Sequence, residues 1–319
     1  MSPGPRPAAS LRQLDPEARG RTQVPLATAR LARPARGGGA SLVLAVPWVW
    51  LLLFLIAPLV LVAAIALADP ADGVPPFTLG LTLDNLVLVA TDPLYRDALW
   101  LSLKLAAIST MLCLAIGYPM ALAIARAPER WRDPLLLAIM LPFWTGFLMR
   151  LNAWIGLLRD DGLVNAVLGW IGIGPRHLLY TDTALYLGVV YTYLPFLILP
   201  LYARLARRDR VLEEAAADLG ASPLGVFLRV TLPLSLPGVW AGCALVFIPV
   251  VGEYVIPELL GGPQAQLVGR VLWGEFFQNR DWPTAAALAV VLLLLLVVLP
   301  VLALHLGRGW TRLDPTDQR

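Results

Sequence analysis

Lysine is almost missing from this 319-residue chain: Lys104 is the only one. A phosphate loop of the form G-x-x-x-x-G-K-[ST] needs a glycine directly before its lysine, and here Leu103 stands there. No nucleotide site of that type exists in the chain, so any ATP that drives it is bound by another polypeptide. Histidine and cysteine are scarce too, with two of each. His177 and His305 are far apart, and Cys113 and Cys243 sit inside apolar runs without metal-ligand spacing. Neither a metal centre nor a disulfide framework is expected. H-E-x-x-H and G-x-S-x-G are both absent, and the chain is not expected to be an enzyme. Charge is short as well. Only 15% of residues are charged and 58% are hydrophobic, where soluble domains carry about 25% charged residues.

That imbalance points to an all-α integral membrane protein. A helix crossing the hydrocarbon core needs about 20 apolar residues. Six runs qualify: about Leu42–Leu67, Ala98–Ala125, Pro134–Leu158, Thr181–Tyr202, Leu236–Leu260 and Thr284–Leu306. The first is too long for a signal-peptide core and reads as an uncleaved span. Eighteen arginines fall in the two tails and the 126–133 and 203–233 loops, against five in the other loops. The positive-inside rule then puts both termini in the cytoplasm. The expected organisation is a basic, disordered N-tail over residues 1–40, able to touch anionic lipid. A first span and outer loop follow over 41–97, a five-span core over 98–306 and a C-tail over 307–319. Nucleic acid is not an expected partner.

Between the fourth and fifth runs lies EEAAADLGASPLGVFLRVTLPLSLPG, Glu213 to Gly238. Leu212–Leu219 reads as a short cytoplasmic helix. Glu213 and Glu214 favour its first turn through the helix dipole, and Gly220 suits its stop. So short a helix is marginal alone in water, so it is expected to dock on something. Pro223, Pro233 and Pro237 stiffen the return path and start the fifth span. A rigid helix offered to the cytoplasm is a handle for a partner.

The spacing Glu214-Ala215-Ala216, three residues, Gly220, nine residues, Val230, one residue, Leu232-Pro233 resembles the signature of permease subunits of bacterial ABC importers. Val230 replaces the isoleucine of the pattern and keeps an apolar β-branched side chain. The resemblance covers about Ala98 to Leu306, with one extra span in front. It implies a type I ABC importer permease of the bacterial inner membrane with six transmembrane helices. In that family the loop is a coupling helix, here Glu213, Glu214, Ala215, Ala216, Asp218 and Gly220, that docks on an ATPase subunit. It further implies a second, homologous permease and an extracytoplasmic substrate-binding protein. ATP and magnesium are expected on the ATPase, with no cofactor on this chain. Leu141–Trp154, Val250–Pro263 and Gly269–Pro283 look like the putrescine/spermidine permeases, the putrescine type most of all.

Ionisable residues inside spans are functional candidates. Lys104 and Arg150 read as structural: Lys104 snorkels, and Arg150 pairs with an acid or faces the outer mouth. Glu253 and Glu258, among Pro249, Gly252 and Pro257, read as acids beside an interrupted fifth helix that faces a cavity. They are about 7.5 Å apart along an ideal axis, yet turned by about 140°, so both line one cavity only if Pro257 breaks the helix. The expected substrate path is Glu253 and Glu258 with the aromatic faces of Trp144 and Tyr254. A pair with Arg150 or a hydrated rim position is the alternative for the acids. The outer loop Asp69–Asp97, with five acids against Arg96, remains open between raising the local concentration of a cation and being a loop that avoids positive charge. For the segment Gly269–Trp282 the resemblance implies a binding-protein contact, which its spacing does not prove.

The leading expectation is an ATP-driven importer of polyamines, putrescine first. Spermidine or another small solute is the alternative within the same architecture. An ion-coupled secondary transporter is the runner-up in mechanism, and it leaves Glu213–Gly238 unexplained. A membrane enzyme or scaffold is a third class, which needs polar clusters not seen in the sequence.

Overall fold

The computed structural model describes residues 38–209 and 211–308. The basic N-tail and most of the C-tail expected from sequence lie outside them. Contacts divide the chain after Ile56. In the first unit, α1 (Gly38–Leu51) continues into a wider helical turn at Leu52–Ile56, where the rings of Trp50 and Phe54 stand 5.1 Å apart.

The second unit opens with α2 (Ala57–Ala66), a two-residue antiparallel pairing of β1 (Asp69–Pro70) with β2 (Phe77–Thr78), and α3 (Asp84–Thr91). Asn85 ties this region together: its buried amide donates to the carbonyls of Ala66 and Ala68 at 3.1 and 2.8 Å. Next comes α4 (Pro93–Arg126), capped by Asp92, whose side chain accepts from the Leu94 amide. Pro93 is at the first helical position, where its missing N–H costs nothing. At 34 residues, α4 is about 50 Å long, well beyond the roughly 30 Å hydrocarbon core.

The central core packs α4, α8 (Asp182–Ala206) and α11 (Leu232–Val251) through Leu105, Cys113, Ala121, Val189, Leu197, Leu201 and Val246. Small residues allow close approach, as expected where lipid supplies no hydrophobic drive between helices. A Cβ on Gly242 of α11 would stand 2.9 Å from the carbonyl oxygen of Leu197 on α8.

Among the described residues four helices have the length and hydropathy of a span: Ala45–Ala66, Pro93–Arg126, Asp182–Ala206 and Pro223–Val251. The expected third span, Pro134–Leu158, is not one straight helix. It is α5 (Glu129–Met140) with a tight turn through Trp144, then α6 (Phe147–Leu158) and α7 (Leu163–Trp170), and the two halves bend by 88°. The cause is local. Thr145 adopts an extended backbone, and its hydroxyl takes the Pro142 carbonyl at 2.7 Å in place of another turn. The final expected span falls on α14 (Trp282–Arg308), whose apolar part is followed to Val298.

The fifth span also differs at both ends. It begins at Pro223, through α10 (Pro223–Val226) and a wide turn Phe227–Thr231, rather than at Leu236. The Leu232 amide reaches back five residues to Phe227 just before Pro233, so the ladder widens where proline would otherwise disrupt a regular turn. The span stops at Val251. Glu253 and Glu258 therefore lie beyond it, on a break and on the separate helix α12 (Val255–Leu260). Pro257 does not cause the break. It occupies the first turn of α12, where proline is tolerated.

Candidate functional site

Two regions carry the residues singled out in the sequence, one at each end of α4. Near its end, α9 (Val211–Asp218) forms the short helix expected at Leu212–Leu219. Gly220 stops it at φ +84°. The Gly220 amide bonds to Ala217 and the Ala221 amide to Ala216, at 2.9 and 3.1 Å. This double closure satisfies the orphan carbonyls of the last turn and needs a left-handed residue, which glycine supplies without strain.

No side chain of α9 is buried. The helix is held instead by one carboxylate. Glu213 Oε1 lies 3.1 Å from Arg208 Nε, and its Oε2 lies 3.4 Å from Arg208 Nη2 and 3.6 Å from Arg126 Nη2. The Thr231 hydroxyl donates to the same carboxylate. Glu213 thus joins α9 to the end of α4, to the α8–α9 link and to the wide turn before α11. That turn in turn reaches the core: Phe227 meets Tyr118 of α4 edge-on at 5.6 Å, and Tyr118 shares a 2.8 Å hydrogen bond with Ser235 of α11. Glu214, Ala215, Asp218 and Gly220 are exposed, and Ala216 is half-buried. Leu219 and Val211 are exposed beside them, at 90% and 62%. The outer surface of α9 is an acid-edged apolar face, and an open cavity of about 520 Å³ lies on its inner side against Arg126, Glu213 and Phe227.

At the other end of α4 the proposed path residues separate. Tyr254 and Glu258 line one cavity of about 260 Å³. Glu258 is bound to Arg270 at 2.8 Å, not to Arg150. Glu253 turns elsewhere. The Tyr193 hydroxyl donates to its Oε2, while its Oε1 accepts the Val255 and Ile256 amides at 3.1 and 3.4 Å and so caps α12. Trp144 is 79% exposed at the 88° bend and belongs to neither group. Arg150 sits over Phe143 at 4.9 Å and meets no acid among the described residues.

The cavity also contains residues that the sequence reading passed over. Trp273 stacks on Tyr254 at 4.7 Å and 15°. Glu275 is 8% exposed, accepts from Tyr95 of α4 at 3.1 Å and from Asn279 at 2.8 Å, and faces the same space. Both come from the segment read as an outer loop. It is helical instead: α13 (Val268–Trp273) followed by a wide turn Gly274–Asn279. Buried Ser102 of α4 accepts the Val268 amide at 2.8 Å and fixes where α13 begins. Glu275 lies outside the apolar runs, between the fifth, which ends at Leu260, and the sixth, which starts at Thr284, so its depth in the protein is not visible in hydropathy. The run GEFF before a predicted sixth span was the available signal.

Comparison with known proteins gives one consistent picture. Residues 38–312 match the family described as "binding-protein-dependent transport system inner membrane component". The chain is 38% identical over 261 residues to the spermidine/putrescine transport system permease protein PotB of Haemophilus influenzae, covering 81% of this chain and 91% of the relative. The protein of the same name from Escherichia coli K12 is 38% identical over 247 residues, covering 76% and 88%. Among solved structures, a bacterial alginate ABC transporter in complex with an alginate pentasaccharide-bound periplasmic protein contains a chain that superposes with a TM-score of 0.71. At 18% identity it covers 86% of this chain and 96% of that one, and it shows the fold to be that of an ABC importer permease. These relatives are permease subunits and not enzymes. With its family match running through every described residue, the chain belongs to the inner-membrane components of binding-protein-dependent transport systems.

Proposed function

We propose that this chain forms one half of the membrane pore of an ATP-driven importer for polyamines, putrescine foremost. Both termini and α9 face the cytoplasm, following the arginine distribution. A second, homologous permease completes the pore. Two ATPase subunits that hold ATP and magnesium bind below, and an extracytoplasmic binding protein delivers the amine above. Glu214, Ala215, Ala216, Asp218 and Gly220 present the ATPase contact, and Glu213 holds that contact on the spans.

The observation that carries this reading is the build of α9. It is a rigid, double-closed helix with no buried side chain, and it is tied to three parts of the membrane core through Glu213. Movement imposed on its exposed face reaches α4 and α11 directly. ATPase closure thereby biases a two-state equilibrium between inward- and outward-open forms. An ion-coupled secondary transporter has no use for such a helix.

The polyamine assignment is supported by 38% identity to the spermidine/putrescine permeases and by Tyr254 and Glu258 sharing a cavity. We place these two on the amine's path. Glu253 and Trp144 belong to the same path at separate stations, Glu253 at the α11–α12 break and Trp144 at the α5–α6 bend.

The test is labelled-putrescine uptake by the chain co-expressed with its neighbouring subunits in cells lacking polyamine transport, with spermidine as competitor. ATP-dependent uptake is expected, and Glu214→Arg is expected to abolish it in a correctly assembled complex. Uptake of neither amine by an assembled complex overturns the substrate. Uptake indifferent to Glu214→Arg overturns the coupling role of α9.

A further inference from the structure

Glu275 presents an electrostatic problem that the residues around it do not solve. It is 8% exposed, and among the described residues no lysine, arginine or histidine pairs with it. Its two neighbours, Tyr95 and Asn279, are neutral donors. Buried carboxylates are costly unless a counter-charge accompanies the hydrogen bonds. Among the described residues that line the cavity the one cation, Arg270, is committed elsewhere. Arg270 binds Glu258 at 2.8 Å and is fixed by the carbonyls of Gly262 and Ala265, each at 3.3 Å. The cavity lining thus carries two carboxyl groups, Glu258 and Glu275, against a single guanidinium.

Its walls specify the missing cation. Tyr254 and Trp273 are stacked at 4.7 Å, and Trp273 lies against Phe277 at 4.1 Å. An aromatic wall beside a carboxylate is the environment that an organic ammonium finds favourable. The volume, about 260 Å³, is below the roughly 300–1,000 Å³ of drug-sized pockets, so it suits one end of a slim, flexible molecule. A hydrated divalent metal would use none of the aromatic surface.

We propose that this cavity is an ammonium subsite for the transported amine, with Glu275 as its anchor and Tyr254 and Trp273 as its aromatic wall. The proposal rests on the importer reading above and deepens it. Glu258, held by Arg270, sets the rim. Glu275 accepts one terminal ammonium in the space that Tyr95 and Asn279 leave open, and the methylene chain lies along the aromatic wall. The site is built on the start of α4 and on α13, so it stands at the end of the bundle away from α9.

The test uses the assembled importer in proteoliposomes, with Gln278→Cys as a reporter at the rim and Cys243→Ser to remove the half-buried native thiol. Cys113 is fully buried. Labelling of the reporter by a maleimide is followed against putrescine and against uncharged 1,4-butanediol. Putrescine is expected to protect and the diol is not. Glu275→Gln is expected to raise the protecting concentration about tenfold, the scale of one lost charged hydrogen bond. Glu275→Asp, which keeps the charge, retains most of the protection and separates a lost contact from a lost fold. Equal protection in Glu275→Gln, or protection by the diol, overturns the proposal. So does an absence of protection in an importer that takes up putrescine. Charge-dependent protection in an importer that takes up no polyamine keeps the subsite and overturns the transport reading instead.

Discussion

Glu213 and Glu275 are two shielded carboxylates at opposite ends of α4, and their surroundings are inverted. Glu213 meets two guanidinium groups and a hydroxyl. Glu275 meets a phenol and an amide and, among the described residues, no cation. The first is a joint, because its counter-charges are supplied by its own chain and it connects α9 to the end of α4 and to the turn before α11. The second is incomplete, because its own chain supplies shape and hydrogen bonds but not the counter-ion. A saturated acid fixes structure, and a shielded acid without a counter-charge is free to receive one.

The same substitution at both positions is the sharpest way to break this contrast. Glu213→Gln removes the carboxylate charge that faces Arg208, whose side chain is only 6% exposed, and neutralising one member of a buried pair costs about 3 kcal/mol or more. The assembled complex is expected to lose its thermal midpoint by several degrees, with Arg208→Gln on top restoring part of it. Glu275→Gln is expected to leave the midpoint unchanged or raised, because it removes an uncompensated charge. Equal destabilisation at both sites ends the distinction.

Gly220→Ala comes next. It forces a Cβ into φ +84°, at about 1 kcal/mol, and loosens the stop of α9. Open space surrounds the position, so the loss is conformational, and Gly220→Asn is expected to be milder. ATPase stimulation per amine transported reads the effect on coupling. The smallest change is expected from Tyr193→Phe. It deletes one of three hydrogen bonds to Glu253, worth about 1 kcal/mol, and leaves both α12 amides in place. A large loss of uptake in Tyr193→Phe with normal stability marks Glu253 as a direct contact for the amine.

The α9 end was readable because its signals are local. Acids in a first turn, alanines and a glycine at the stop specify a short helix whatever surrounds it, and Val211–Asp218 lies within one residue of Leu212–Leu219. The candidate path residues were less readable. Glu253 and Glu258 share a segment, yet a break placed before α12 sends one to Tyr193 and the other to Arg270. The fifth run is interrupted as expected, but the break falls between Val251 and Val255, and Pro257 lies in the first turn of the new helix rather than at the break. The 88° bend at Thr145 was hidden inside a run apolar enough to pass as one span.

Composition and pattern alone determined that this chain lives in a membrane, has no lysine phosphate loop, and carries a short helix between its fourth and fifth apolar runs. These follow from transfer free energies, charge asymmetry and backbone preferences that act over a few neighbouring residues. Only the tertiary structure decided which acids are satisfied and which are not. Glu213 and Thr231 are 18 residues apart, and Tyr95 and Glu275 are 180 apart. Whether a carboxylate finds a counter-charge depends on which helix ends the packing brings together, and hydropathy along the chain carries no record of that.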